Sequence, residues 1–184
     1  MAKLVVLVLC VVLVYTISAK YVDKRKCPEV RAVPHFDLPR MLGDWFVVEY
    51  YASAEEALSY SCMKAVFTED DHVPTADDGI YNTYVLDTEY KTWALLLHCA
   101  EQTEGARYLS AFVLSRNTTL PKNVMAYLRD KLPRYDVDVN YVFPIPHKDC
   151  STKPPMFDYS PILVEVGSKV PKRPGVSYKV AFGH

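Results

Sequence analysis

The sequence predicts a mainly β protein: an antiparallel sheet with a single α-helix near the C-terminal end of its domain. Short runs rich in Val, Tyr, Leu and Phe recur along the chain, bounded by Asp, Gly, Glu or Pro, and their period of two is typical of strands. One segment repeats its apolar residues at every fourth position, which is typical of an amphipathic helix. With 184 residues, 50% of them hydrophobic, the chain suits one domain with one core.

The predicted strands follow these runs in chain order. Strands are predicted at 45–51, 63–68, 80–86, 92–99, 108–115 and 137–143. From Ser151 onward the composition shifts toward Pro and Lys, and two more strand-like pieces stand at 162–166 and 176–182.

The single helix is predicted within 120–135, "LPKNVMAYLRDKLPRY". Val124, Leu128 and Leu132 lie four residues apart, so they share one face of a helix. Pro121 suits the first turn, where no intrahelical N–H is needed, and Pro133 ends the pattern.

The first residues, 1–19, predict a signal peptide. One Lys precedes an apolar run at 4–14, and small residues precede a cleavage site at Ala19. The run is shorter than the roughly 20 residues that span a membrane, although an uncleaved anchor is the alternative. We therefore expect a secreted, extracellular protein with one domain at 20–150 and a C-terminal extension at 151–184.

The cysteines predict disulfides. Cleavage would remove Cys10 and leave an even set in an oxidising compartment, namely Cys27, Cys62, Cys99 and Cys150. Four cysteines form two disulfides in any of three pairings. The sequence has no C-x-x-C spacing, which disfavours structural zinc. The sequon at Asn117 predicts N-glycosylation in a polar turn and agrees with secretion.

Charge and motifs argue against several function classes. The net charge is -1, without the basic excess that a nucleic-acid-binding protein needs. Hydrolase, P-loop and metalloprotease motifs are absent from the sequence, so we predict no catalytic residues, no metal site, no cofactor and no enzyme activity. The histidines are scattered; His98, beside Cys99 on a strand, is a candidate haem ligand, but a capped or solvated histidine is the favoured interpretation.

Three sequence motifs occur in a fixed order around the predicted sheet. They are "LGDWFVVEYY", then "LDTEYKTWALLLHC", then "SAFVLSRNTTLP" directly before the helix. This order resembles the three signatures of the lipocalin family. The cysteine contexts "RKCPEV", "YSCMKAVF", "LLLHC" and "HKDC" are most similar to the apolipoprotein D branch and its insect bilin-binding relatives. The resemblance implies an up-and-down antiparallel barrel with one C-terminal helix.

The resemblance also implies how the barrel is closed at one end. Trp45 would plug that end, Gly43 would allow a tight turn beneath it, and the guanidinium of Arg116 would stack on the indole, beside the turn that holds Thr88 and Tyr90. Such residues hold the fold and perform no chemistry.

The disulfide pairing is likewise implied by the resemblance. Cys27 would pair with Cys99 and tie the N-terminal segment to the barrel wall, while Cys62 would pair with Cys150 and pin the segment after the helix.

The chain departs from the family in strand number. An eight-stranded lipocalin barrel has further strands between the second and the sixth, but only a short segment separates Cys62 from Thr88, so about three strands are missing. The barrel is therefore expected to be incomplete or rearranged. A crossover at 69–79, a re-paired sheet, C-terminal pieces filling the gap, and an incomplete transcript or gene model all remain open.

The expected function is that of a carrier for a small hydrophobic ligand: a lipid, sterol, retinoid or tetrapyrrole. Tyr50, Tyr84 and Tyr108 are the candidate ligand contacts, since amphipathic aromatic walls suit flat ligands, although Tyr also favours strands wherever it points. The alternative is a secreted interaction scaffold without a pocket, which would bind proteins or a lipid surface through exposed edges or the basic residues Lys169, Lys172 and Arg173, or would form a homodimer. A haem or redox protein ranks last.

Overall fold

The computed structural model describes residues 23–53, 60–70, 82–150, 162–163 and 177–183. The predicted signal peptide and the basic residues Lys169, Lys172 and Arg173 lie outside this part of the chain, as does most of the crossover at 69–79. No helix in the described part is long and apolar enough to cross a membrane.

The described chain is mainly antiparallel β with one C-terminal α-helix, so the predicted fold class is confirmed. The strands are β1 (Gly43–Ala52), β2 (Lys64–Asp70), β3 (Asn82–Thr88), β4 (Trp93–Ala100), β5 (Tyr108–Ser115), β6 (Phe143–Pro144), β7 (Ile162–Leu163) and β8 (Ser177–Gly183). The helix is α1 (Lys122–Arg129), and short 3₁₀ turns lie at Leu38–Arg40, Leu132–Tyr135 and Val139–Tyr141.

The strands form one sheet in the order β3-β4-β5-β1-β2-β8-β7, with β6 added beside β1. Each of its ladders is antiparallel. The outermost strands β3 and β7 approach to Cα separations within 8 Å, but no ladder joins them in the described chain, and the sheet is not closed. Alternation along this path makes β3 and β7 point the same way, so an antiparallel ladder cannot close it.

Strands from the C-terminal segment extend the sheet beyond β2. β8 pairs with all of β2, from Lys64 opposite Gly183 to Asp70 opposite Ser177, and β7 pairs with β8. Of the alternatives left open by the sequence, the structure thus supports the one in which C-terminal pieces fill the gap. Two strands from 151–184 belong to the same sheet as β1.

The predicted strand at 137–143 is wrong. The structure has a 3₁₀ turn at Val139–Tyr141, and only β6 pairs with β1. The carboxylate of Asp138 accepts the backbone N–H of Asn140 at 3.0 Å, which stabilises the turn in competition with an extended chain. Pro144 and Pro146 lack the backbone N–H that a longer ladder would use.

The helix is shorter than the periodic segment that predicts it. Pro121 stands at its N-cap, and α1 ends before a separate 3₁₀ turn at Leu132–Tyr135 that contains Pro133. Pro133 has no backbone N–H to donate to the carbonyl of Arg129, and its ring crowds that carbonyl, so the α-helix ends before it. The apolar face survives the break, because Leu128 and Leu132 are both fully buried.

Both faces of the sheet are buried, which gives two apolar clusters. The inner cluster contains Trp45, Tyr50, Phe67, Leu96 and Phe112 along with neighbouring apolar residues. The outer cluster lies on the opposite face and contains Leu97, Val113 and the helix residue Leu128. An ion pair between buried Glu49 and Arg129 fixes α1 to that outer face.

Two disulfides brace the sheet. Cys27 is bonded to Cys99 on β4, with Cα atoms 5.9 Å apart, and Cys62 is bonded to Cys150, with Cα atoms 5.5 Å apart. These are the two pairings that the lipocalin resemblance implies. The first ties the N-terminal segment to the outer face, and the second joins the start of β2 to the chain that follows β6.

Candidate functional site

The start of β1 closes one end of the inner cluster with a stacked tryptophan. Trp45 is fully buried, and the guanidinium carbon of Arg116 lies 3.7 Å from the centroid of its ring. The indole N–H donates to the carbonyl of Met41 at 2.8 Å. The indole is therefore held on its face by a cation and at its edge by a hydrogen bond.

The guanidinium of Arg116 also donates hydrogen bonds to backbone carbonyls before and at the start of β1. Its Nη1 donates to Asp44 O at 2.9 Å, and its Nη2 donates to Arg40 O at 3.2 Å and Leu42 O at 3.1 Å. Partial burial lowers the pKa of Arg116, and nearby Asp44 opposes that shift. Gly43 has φ +94, a backbone conformation that residues with a side chain rarely adopt. This conformation places the segment before β1 beside the guanidinium of Arg116.

The turn after β3 completes the closed end. Thr88 Oγ1 donates to Trp93 O at 2.9 Å and accepts the N–H of Tyr90 at 2.8 Å. The Tyr90 carbonyl accepts from Arg116 Nε at 3.4 Å, and the Tyr90 hydroxyl accepts the N–H of Asp37 at 3.0 Å. The structure thus gathers Gly43, Trp45, Thr88, Tyr90 and Arg116, the residues expected at the closure, into one connected assembly.

Further along β1, Tyr50 is the centre of an aromatic group on the inner face. It is 4% exposed, and its hydroxyl lies 3.2 Å from that of Tyr108. Its ring centroid lies 4.9 Å from that of Phe112, 5.5 Å from that of Phe143 and 5.8 Å from that of Tyr60. Two of the three candidate ligand tyrosines, Tyr50 and Tyr108, are therefore brought together.

Tyr84, the third candidate, lies on the other face of the sheet. Its half-buried side chain packs against the outer cluster, whereas its neighbour Val85 belongs to the inner cluster. Side chains alternate between faces along a strand, so Tyr84 cannot share the inner face with Val85. Its proposed role as an interior ligand contact is corrected accordingly.

His98 is buried on the inner face of β4. It is 2% exposed, and its ring centroid lies 4.7 Å from that of Phe112. Burial lowers its pKa to about 3, because the charged imidazolium loses its hydration there. The imidazole is therefore neutral at physiological pH.

Thr83 and Ser110 are the interior polar residues that sequence reasoning missed. They pair directly with His98 from β3 and β5. Both faces of β5 are buried, so the sequence shows no clear alternation of polar and apolar residues that would assign Ser110 to the interior. The signal that could have found them is the cross-strand register with His98, which one sequence does not reveal.

The sequon asparagine lies away from the interior. Asn117 is exposed in the turn directly after β5, and its backbone N–H donates to Ser115 Oγ at 3.0 Å. A glycan at this position would project from the closed end of the molecule into solvent.

The fold matches solved structures. Insecticyanin from the tobacco hornworm Manduca sexta matches with a TM-score of 0.53 and 16% identity, over 70% of this chain and 89% of insecticyanin. Apocrustacyanin C2 matches with a TM-score of 0.47 and 14% identity, over 60% of this chain and 79% of its own. Comparison with protein-family models and with curated protein sequences finds no match. Insecticyanin is a lipocalin, so this chain has a lipocalin-like fold.

Proposed function

We propose that this protein is a secreted carrier that binds a small hydrophobic molecule non-covalently inside its curved sheet. The observation that carries the proposal is the inner face, which is apolar and aromatic and is closed at one end by the stack of Arg116 on Trp45. Small-molecule sites are typically concave and mostly apolar, with a few polar groups that orient the ligand. A lipid, sterol, retinoid or tetrapyrrole fits this description.

Burial supplies the affinity in this proposal. A ligand that removes about 400 Å² of apolar surface from water gains roughly 10 kcal/mol, before the entropic cost of association. The tyrosine hydroxyls of Tyr50 and Tyr108, 3.2 Å apart, offer polar contacts without charge. The function therefore needs no reaction and no cofactor.

Secretion and the branch of the family are part of the same proposal. The predicted signal peptide at 1–19 and the disulfides Cys27–Cys99 and Cys62–Cys150 agree with an oxidising compartment. The sequence around these cysteines favours the apolipoprotein D branch. N-glycosylation at the exposed Asn117 would also require passage through the secretory pathway.

Native mass spectrometry of the protein purified from its own host tests the carrier function. We expect a complex heavier than the protein by one small molecule of a few hundred daltons. Under denaturing conditions the added mass should disappear, which distinguishes a non-covalent ligand from a glycan, and treatment with a glycosidase provides the matched control for Asn117. A protein that carries only its own mass and its glycan would contradict the proposal.

The gap between β3 and β7 favours a second candidate, an interaction scaffold without a ligand. β3 is longer than β7, and the described chain has no ladder along the outer side of β3, so another chain can add a strand where β3 extends beyond β7. The same native spectra would then show a homodimer or a protein complex in place of a small molecule. Release from anionic vesicles by salt would indicate the lipid-surface variant of this hypothesis.

A further inference from the structure

Three polar side chains form a row across the inner face, one from each of three neighbouring strands. Thr83 on β3 is directly opposite His98 on β4, and His98 is directly opposite Ser110 on β5. Directly paired residues in an antiparallel sheet project from the same face. Their exposures are 0%, 2% and 1%, so the row is a fully buried polar line in an otherwise apolar surface.

The two hydroxyls of this row are not used by the fold. Within the described chain, Thr83 Oγ1 and Ser110 Oγ are buried and have no hydrogen-bond partner. An unsatisfied buried polar group opposes folding, and valine or alanine would fit the same positions without that cost. The hydroxyls are therefore donors and acceptors that the described chain leaves unused.

The row lies at the end of the inner face remote from Trp45. Ser110 is opposite Ala52, the last residue of β1, whereas Trp45 stands near its beginning. From Ser110 to Arg116 the distance along β5 is roughly 20 Å, at about 3.3 Å per residue. A ligand whose polar end met the row would thus direct its apolar remainder past the aromatic group of Tyr50 toward the closed end.

The row carries no charge. His98 is neutral at physiological pH, since burial lowers its pKa to about 3. The buried charged side chains of the described chain, Glu49 and Arg107, are paired elsewhere, with Arg129 and Asp136. A ligand carboxylate placed at the row would lose its hydration without gaining a cation, which is strongly unfavourable.

We propose that Thr83, His98 and Ser110 bind the uncharged oxygen, a hydroxyl or a carbonyl, at the polar end of the carried hydrophobic molecule. The inference rests on the carrier function proposed above and narrows it to neutral oxygenated hydrophobes, with carboxylates disfavoured. The hydroxyls of Thr83 and Ser110 can each donate or accept, so both an alcohol and a ketone are accommodated.

The test compares retinol with retinoate, which share a polyene and differ in the polar end. Binding is followed by quenching of tryptophan fluorescence at neutral pH, for the wild-type chain and for the double variant Thr83→Val, Ser110→Ala. We expect wild type to bind retinol at least about tenfold more tightly than retinoate, and the double variant to lose about tenfold in retinol affinity, as two modest hydrogen bonds would. Retinoate affinity should change little.

Ser115→Ala is the matched control, because Ser115 is a buried serine on the same strand that accepts a backbone N–H outside the row. It should leave retinol affinity unchanged. Equal retinol affinity in wild type and the double variant, tighter binding of retinoate than of retinol, or no binding of either retinoid would each overturn the role of the row. The carrier function would still stand if native spectra of the host protein showed a bound small molecule, so the two failures are distinguishable.

Discussion

The two ends of the inner face differ in whether their buried polar groups have hydrogen-bond partners. At the closed end, the indole N–H of Trp45 and the guanidinium of Arg116 are hydrogen-bonded to backbone carbonyls. At the other end, the hydroxyls of Thr83 and Ser110 have no partner within the described chain. The difference separates polar groups that hold the fold from polar groups that, as we propose, bind a ligand. The comparison predicts that substitutions at the closed end destabilise the protein, while substitutions in the polar row affect binding.

The largest effect is expected from Trp45→Ala. Removing a fully buried indole leaves a cavity, loses the stack with Arg116, and should lower the free energy of unfolding by about 4 kcal/mol. Urea denaturation followed by circular dichroism measures it. Trp93→Ala is the matched control, because Trp93 is only half-buried on the outer face and should cost clearly less. Equal losses in the free energy of unfolding for the two variants would contradict a special stabilising role for the closed end.

Arg116→Ala should have the next largest effect. It leaves the carbonyls of Asp44 and Leu42 without their donor and uncovers the indole, for an expected loss of about 2 to 3 kcal/mol. Arg116→Lys should recover only part of this loss, because an ammonium cannot reach several carbonyls in one plane. Arg25→Ala, at an exposed surface pair, should leave the urea midpoint unchanged. An unaltered midpoint for Arg116→Ala would contradict the account.

Because His98 is buried in its neutral form, we expect the free energy of unfolding to depend on pH. Its pKa is lowered from 6.5 to about 3 in the folded state. Above pH 6.5 the imidazole is neutral in both states, so the free energy of unfolding keeps its full value. As the pH falls from 6.5 toward 3, only the unfolded chain takes up the proton, and the free energy of unfolding decreases. At pH 5 the loss relative to neutral pH is roughly 2 kcal/mol. His98→Gln should lack this part of the acid sensitivity, as measured by urea unfolding at several pH values. Parallel pH profiles for wild type and variant would show that His98 is accessible to protons in the fold.

The smallest effects on the free energy of unfolding are expected at two serines of β5, and they should have opposite signs. Ser110→Ala removes an unsatisfied hydroxyl and should raise the free energy of unfolding by up to about 1 kcal/mol. Ser115→Ala removes the acceptor of the Asn117 N–H and should lower it by about 1 kcal/mol. Differential scanning calorimetry of the two variants resolves the signs. A loss of stability in both would mean that Ser110 has a partner in the ligand-free fold.

Residues whose identity alone determines their role were predictable from the sequence. Trp45 and Arg116 stand in recognisable motifs, and the indole and guanidinium come together although strands β2 to β5 lie between them in the chain. The period of two located β1 to β5 because strands repeat with that period whatever they pair with. The helix was predicted from Leu128 and Leu132, which are buried as one face.

Features that depend on register or on long-range pairing were not predictable. The bulge in β1 between Val47 and Glu49 and the bulge in β3 between Val85 and Asp87 shift which side chains face inward. The outward direction of Tyr84, a candidate ligand contact in the sequence, is not readable from composition because both faces of the sheet are apolar. The pairing of β8 with β2 spans most of the chain, and no local pattern encodes it.

A crystal structure of the protein purified from its own host, with its natural content intact, would show what the inner face holds. We predict electron density for one small hydrophobic molecule on the inner face, with an uncharged oxygen within hydrogen-bonding distance of Thr83 Oγ1 and Ser110 Oγ and its apolar part directed toward Trp45. An inner face without density for a bound molecule, or a ligand bound only on the outside of the sheet, would contradict the proposal.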